Sequence, residues 1–246
     1  MKIPANAIVI SPHLDDGVFS CGEAIAAADR AVVITVFAGI PQQQGDVTSW
    51  DAACGFRLGD DAVSIRRKED KKALGTLGAL PLWLDFLDAQ YGGGAAPEKI
   101  SPYLFAAVSA LQKKGEINRV CFPLGLFHSD HVLVRSATLG IVNEFPDLEW
   151  IAYEDAAYRC IDGVCEEALA QMHSDGIYTL PYRFRCNDET HRLKRQAVMC
   201  YRSQLAGLTT RNKSGFEDLL NAERYFLLVP QSQPSNAGVR APSVRA

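Results

Sequence analysis

The sequence has no apolar run approaching the roughly 20 residues that span a bilayer, which argues against a transmembrane role. Its start, MKIPANAIVIS, carries one lysine and a short apolar run of strand type. The longer apolar core and small-residue cleavage site of a secretory leader are missing, so a cytoplasmic location is expected. Basic residues are not in excess: 25 Lys and Arg stand against 29 Asp and Glu, a formal net charge of −4. Neutralising phosphates needs a basic surface, so nucleic acid is not the expected partner. No CxxC pair occurs, and seven cysteines, an odd number, do not suit a secreted disulfide framework. Reduced thiols are expected, with Cys160 and Cys165 of YRCIDGVCEE flanking a hairpin around Asp162-Gly163 rather than building a zinc ribbon. No internal repeat is present. No G-x-G-x-x-G follows the first strand, which counts against a nucleotide-binding Rossmann module. Histidine is scarce, with five in 246 residues.

What is present is ordinary globular material, 48% hydrophobic and 22% charged. One domain over residues 1–230 is expected, followed by a tail, QSQPSNAGVRAPSVRA (231–246), whose composition suits a mobile or surface-draped segment. Strand and helix patterns alternate. Ala7 to Ser11 is an apolar run of strand length; Val18, Cys21, Gly22 and Ile25 then recur at helical spacing before a β-branched run from Ala31 to Ala38. Ser101 as cap, Pro102 in the first turn and Gly115 as terminator mark another helix through Leu104, Val108 and Leu111. A strand from Arg119 to Phe122, a helix from Leu133 to Val142 and a strand from Leu148 to Tyr153 follow. The fold class implied is α/β, Rossmann-like, with a mostly parallel sheet flanked by helices on both faces. Residues 40–60 and 91–98 read as loops suited to a pocket rim.

Two strand-to-helix turns concentrate the chemistry. In SPHLDDGVFSCG (11–22), His13, Asp15 and Asp16 follow the first strand; in PLGLFHSDHVLVR (123–135), His128, Asp130 and His131 follow another. Taken alone, an aspartate of the first turn is a helix cap and His13 a polar residue at a strand end. Together, the turns place three of the five histidines where parallel strands open at one edge of the sheet. A catalytic zinc takes three protein ligands from histidine and carboxylate and keeps one position open, and His13, Asp16 and His131 supply such a set. Asp15 is then free to take a proton from water and His128 to face the reacting carbonyl.

With these turns the sequence resembles the PIG-L/LmbE-like zinc-dependent N-deacetylases, whose motifs are a PHPDD-type turn and an HPDH or HVDH turn. FAGIP (37–41), RRKED (66–70), LDFLDAQY (84–91), YEDAAY (153–158) and KRQAVMCYRSQ (194–204) resemble further segments in the same order. The resemblance implies Zn2+ on His13, Asp16 and His131, with Fe2+ or Co2+ as substitutes. It also implies Asp15 as general base, His128 as acid or oxyanion donor, and Asp130 orienting a histidine. Arg66 and Asp88 match substrate-side residues, although RRKEDKK also reads as the solvated start of a helix. Two positions depart from the pattern: Gly17 stands where many members have glutamate, and Leu126 where some have tyrosine.

The implied activity is removal of an N-acetyl or other N-acyl group from a small amino sugar or glycoconjugate. The alternatives are an amidase of a thiol conjugate within the same family, and a catalytically inactive metal- or nucleotide-binding Rossmann-like module.

Overall fold

The computed structural model describes residues 6–42, 46–114, 117–208 and 215–229. The expected tail and the terminator Gly115 lie outside these. The strands are β1 (Asn6–Ser11), β2 (Arg30–Thr35), β3 (Ala79–Trp83), β4 (Ile117–Pro123), β5 (Glu149–Tyr153), β6 (Thr179–Tyr182) and β7 (Tyr225–Leu228). They form one sheet in the order β3-β2-β1-β4-β5-β7-β6. Neighbours from β3 through β5 are parallel, whereas β7 runs antiparallel to both β5 and β6. The helices are α1 (Asp16–Ala27), α2 (Ser49–Ala53), α3 (Ala62–Thr76), α4 (Pro97–Lys114), α5 (Ser129–Leu139), α6 (Val164–Ser174), α7 (Asp188–Val198), α8 (Arg202–Leu208) and α9 (Phe216–Leu219).

Side chains of a strand alternate between faces, and here each face has its own core. Ile8, Ile10, Val120 and Phe122 pack with Leu104 and Val108 of α4, Val134 of α5 and Met172 of α6. Val9, Val33, Cys121 and Ile151 pack with Val18 and Ile25 of α1, Leu74 of α3 and Val198 of α7. Burial on both faces explains why the central strands read as continuous apolar runs. The strand order reverses between β1 and β4, and the crevice outside the carboxyl ends of such a pair is where open α/β sheets bind ligands. Both histidine turns leave from that edge.

Several boundaries differ from the sequence pattern. β2 ends at Thr35 rather than Ala38, because Val36 and Phe37 turn their N–H groups to the carbonyls of Ser11 and Pro12. Helix α4 begins at Pro97, a turn before Ser101, with Pro97 in the favoured first position; Pro102 is carried inside. The Ser101 hydroxyl sits 2.9 Å from the carbonyls of both Pro97 and Ala137, tying α4 to α5 instead of capping. α5 starts at Ser129 and stops at Leu139. No hairpin forms around Asp162-Gly163: Gly163 precedes α6 as its N-cap, leaving Cys160 exposed and Cys165 buried, both free thiols. The expected loop 40–60 contains α2.

Candidate metal and catalytic site

The turn after β1 is built by Ser11, His13 and Asp16. Ser11 Oγ accepts the N–H of Gly17 at 2.8 Å and donates to the His13 carbonyl at 2.6 Å. Asp16 Oδ2 accepts the His13 N–H at 3.0 Å. These bonds satisfy the start of α1 locally, so Asp15, although it holds the N-cap position, makes no side-chain cap bond. Its carboxylate lines the cavity instead. Burial and the adjacent Asp16 push the Asp15 carboxyl up to about 7, against the opposing pull of His13, Arg66 and His131. Gly17 fits this turn closely: a Cβ there would lie 3.2 Å from both Ser11 Cβ and Val33 Cγ1.

In the turn after β4, His128 caps α5 by accepting the Asp130 N–H on Nδ1 at 3.2 Å. That bond puts the ring proton on Nε2. Burial, then the neighbouring His13 and His131, lower the pKa of His128, keeping it neutral and leaving Nε2–H as a donor. His131, fully buried, contacts Asp155 Oδ1 through Nδ1 at 2.6 Å. The same Asp155 accepts the N–H groups of Gly125 and Leu126 through Oδ2, at 2.8 and 2.9 Å. One carboxylate therefore fixes both the loop and the imidazole. Leu126 is buried core and presents nothing polar to the site.

The two turns meet at Asp16. Its Oδ2 lies 3.1 Å from His13 Nδ1 and 3.1 Å from His131 Nε2. In a tetrahedral zinc site with bonds of about 2.0–2.1 Å, ligand atoms stand roughly 3.3 Å apart, so the spacing suits a cation between these three atoms. His131 Nε2 is buried and has no hydrogen-bond partner among the described residues, while Nδ1 is engaged by Asp155. A lone pair so directed is a ligand atom with its second partner in place. The surrounding field also selects positive charge. Burial disfavours charge on His131, yet Asp16 and Asp155 outweigh it and raise its pKa to about 9. For His13, burial is outweighed by Asp88, Asp130 and Asp16. An overlapping trio, His13, His128 and Asp130, also converges. Asp130 Oδ2 faces His13 Nε2 at 3.1 Å and accepts the Ala89 N–H, and His128 Nδ1 is taken by the cap.

A cavity of about 450 Å³ opens beside these groups, lined also by Arg66, Asp88, Gln90 and Tyr91. The RRKED run is the middle of α3, whose start is capped by Asp61, and it turns Arg66 and Asp70 inward. Arg66 is buried against Asp51 at 2.7 Å, with Tyr91 Oη at 3.3 Å; Tyr91 in turn donates to Asp51. Its charge is thus largely matched within the wall. Asp88 caps the turn Ala89–Tyr91, accepting the N–H and the side-chain amide of Gln90, and lies 3.9 Å from His13 Nε2. All eight residues singled out from the sequence therefore surround one site: His13, Asp15, Asp16, Arg66, Asp88, His128, Asp130 and His131. Asp155 and Asp51 were missed. Each is a partner to a site residue from another segment, and no local spacing reveals such a pairing, although Asp155 stands in YEDAAY.

A profile described as PIG-L: GlcNAc-PI de-N-acetylase matches residues 8–201. Among solved structures, the A40926 pseudoaglycone deacetylase Dbv21 is similar with a TM-score of 0.71 and 24% identity, over 92% of this chain and 97% of that one. The zinc-inhibited form of teicoplanin deacetylase Orf2 gives 0.75 and 22%, over 93% and 100%. A triple mutant of a deacetylase of teicoplanin biosynthesis gives 0.74 and 26%, over 93% and 100%. No curated protein matches the chain.

Proposed function

Since the chain belongs to the PIG-L family, we propose that it is a divalent-metal-dependent hydrolase that removes an N-acetyl or other N-acyl group from an amino sugar or glycoconjugate. The observation that carries the reading is the convergence of His13 Nδ1, Asp16 Oδ2 and the buried His131 Nε2 beside an Asp15 whose side chain caps nothing. The deacetylases among the similar structures, named for a pseudoaglycone and for teicoplanin, support a glycoconjugate substrate.

His13, Asp16 and His131 would hold the ion, zinc in the first instance, with iron or cobalt as substitutes. When bound, it supplies Lewis acidity to an amide carbonyl and to water. Asp15 takes the proton of the attacking water on its carboxylate and passes it to the leaving nitrogen. His128 Nε2–H donates to the oxygen that becomes negative as the carbonyl carbon turns tetrahedral, a role supported by the tautomer its cap bond implies. Asp130 and Asp155 orient His13 and His131. Arg66 and Asp88 belong to the substrate side; with Arg66 already paired to Asp51, that wall suits neutral hydroxyls better than an anionic group. Asp88 and Gln90 add acceptor and donor atoms for such hydroxyls.

Acetate release from a panel of N-acetylated amino sugars, with and without added zinc, tests this reading. Release that follows metal loading is the expected result; no release from any member under either condition overturns it.

A further inference from the structure

We propose that Phe127 and Tyr158 form an aromatic platform at the mouth of the cavity, which receives the flat apolar face of a second ring of the substrate. The preferred substrate is then an N-acyl amino sugar joined to another sugar or to a cyclic aglycone, rather than the free monosaccharide. This rests on the deacetylase reading above.

Phe127 occupies a three-residue turn in which the His128 N–H donates to the Leu126 carbonyl at 2.6 Å. Its φ of +58° makes it the one non-glycine residue in the left-handed region among the described residues. Such a turn is rare and strained when its central residue carries a Cβ. Burial does not offset the strain, because Phe127 is 69% exposed. Nor does the turn itself ask for phenylalanine, since glycine adopts positive φ without cost to its side chain. The same loop uses glycine where only the backbone matters: Gly125 has φ +79°, and a Cβ there would come within 3.1 Å of Val132 Cα. What position 127 adds is the ring.

The ring stands beside residues that line the cavity. It lies 5.6 Å from Tyr158, which stacks on His128 at 6.1 Å and 25°. Tyr158 and His128 both line the cavity, so a series of ring contacts runs from these lining residues to the exposed Phe127. Asp155 holds the backbone just before Phe127 through the N–H groups of Gly125 and Leu126. Aromatic faces bind other flat apolar faces by area and by edge geometry, which the C–H face of a pyranose and an aromatic ring both offer.

The test compares N-acetylglucosamine, N,N′-diacetylchitobiose and 4-nitrophenyl N-acetyl-glucosaminide, by steady-state acetate release and by calorimetric binding, on the parent, Phe127→Gly and Phe127→Tyr. For the parent, at least one two-ring compound should exceed the monosaccharide in kcat/KM by about tenfold, the scale of one aromatic contact. A larger gain for the disaccharide marks a second sugar, and for the aryl glycoside an aglycone. Phe127→Gly should erase the gain through KM, so that within this variant the two-ring compounds fall to the kcat/KM of the monosaccharide, with a melting temperature equal to or above the parent's because the turn is relieved. Phe127→Tyr should keep the gain. Equal kcat/KM for all three compounds, or a gain that survives Phe127→Gly, overturns the platform. If none is hydrolysed the deacetylase reading fails, and binding decides the platform separately: tighter two-ring binding lost in Phe127→Gly supports it, and equal binding overturns it.

Discussion

A buried imidazole nitrogen without a partner is a destabilising feature unless something else takes its lone pair. His131 Nε2 forms no hydrogen bond although Asp16 Oδ2 lies 3.1 Å away, and Asp155 is what keeps it directed there. Asp155→Asn keeps the size of the side chain but removes the charge, and its amide cannot serve the imidazole N–H and the two loop N–H groups equally well. Removing partners of this kind typically weakens metal affinity by about 10–100-fold. We expect that loss in a competitive zinc titration, with little change in secondary structure by circular dichroism; unchanged affinity would mean that His131 is held by packing alone. The histidine turns were legible at this scale because each motif is local in sequence. Asp155 and Asp51 were not, because each completes a site residue from a distant segment: Asp155 is 24 residues from His131, and only the fold brings them together.

At the scale of elements, α3 shows how a charged run can be half interior. Arg66 and Asp70, four residues apart, share the buried face of α3, while Lys68, Lys71 and Lys72 stay outside or partly so. Asp70 accepts bonds from Trp83 Nε1 at 2.8 Å and from the Tyr201 hydroxyl at 2.8 Å, joining α3 to β3 and to the segment before α8. Burial outweighs both bonds and raises its pKa to about 6. In the unfolded chain it ionises near about 3.9. Between those values the folded protein keeps a proton that the unfolded chain has lost, so this group makes stability fall as pH rises from about 4 to about 6 and adds no further slope above that. Asp70→Asn can accept from Trp83 and donate to the Tyr201 oxygen without titrating. Its stability relative to the parent should therefore grow across that window, by roughly 3 kcal/mol at most, in urea denaturation followed at several pH values. A constant difference from pH 4 to pH 7 would contradict the shift. Element ends were read less well than element types. The Ser101-Pro102 pair has the composition of a helix start, yet Pro97 offers an equally good one a turn earlier, and the contact of Ser101 with α5 is tertiary. β6 and β7 gave no sequence signal strong enough to place them: each has only 4 residues, and β7 runs against the direction of the other strands.

For the whole molecule, the strand order and the two cores explain how segments 115 residues apart, His13 to His128, meet at one edge of the sheet. The same edge in other open α/β folds receives dinucleotides, so fold alone does not decide the ligand. Here the crevice carries carboxylates and imidazoles rather than a glycine-rich phosphate turn. A hydroxamate, whose two oxygens can chelate an open metal position, should bind and inhibit at concentrations where common nucleotides and dinucleotides give no saturable binding. Tight dinucleotide binding without a response to hydroxamate would reverse that ranking. For a hydrolase the decisive residue is Asp15, whose side chain makes no cap bond, so that replacing it tests its role as a base rather than the start of α1. Asparagine caps a helix about as well as aspartate but accepts no proton from water. The measurement that decides is turnover of metal-loaded Asp15→Asn on any accepted N-acetyl substrate, beside its metal content. The prediction is a fall of roughly 10²–10⁴-fold with metal content and fold retained; a rate within a few-fold of the parent would contradict it.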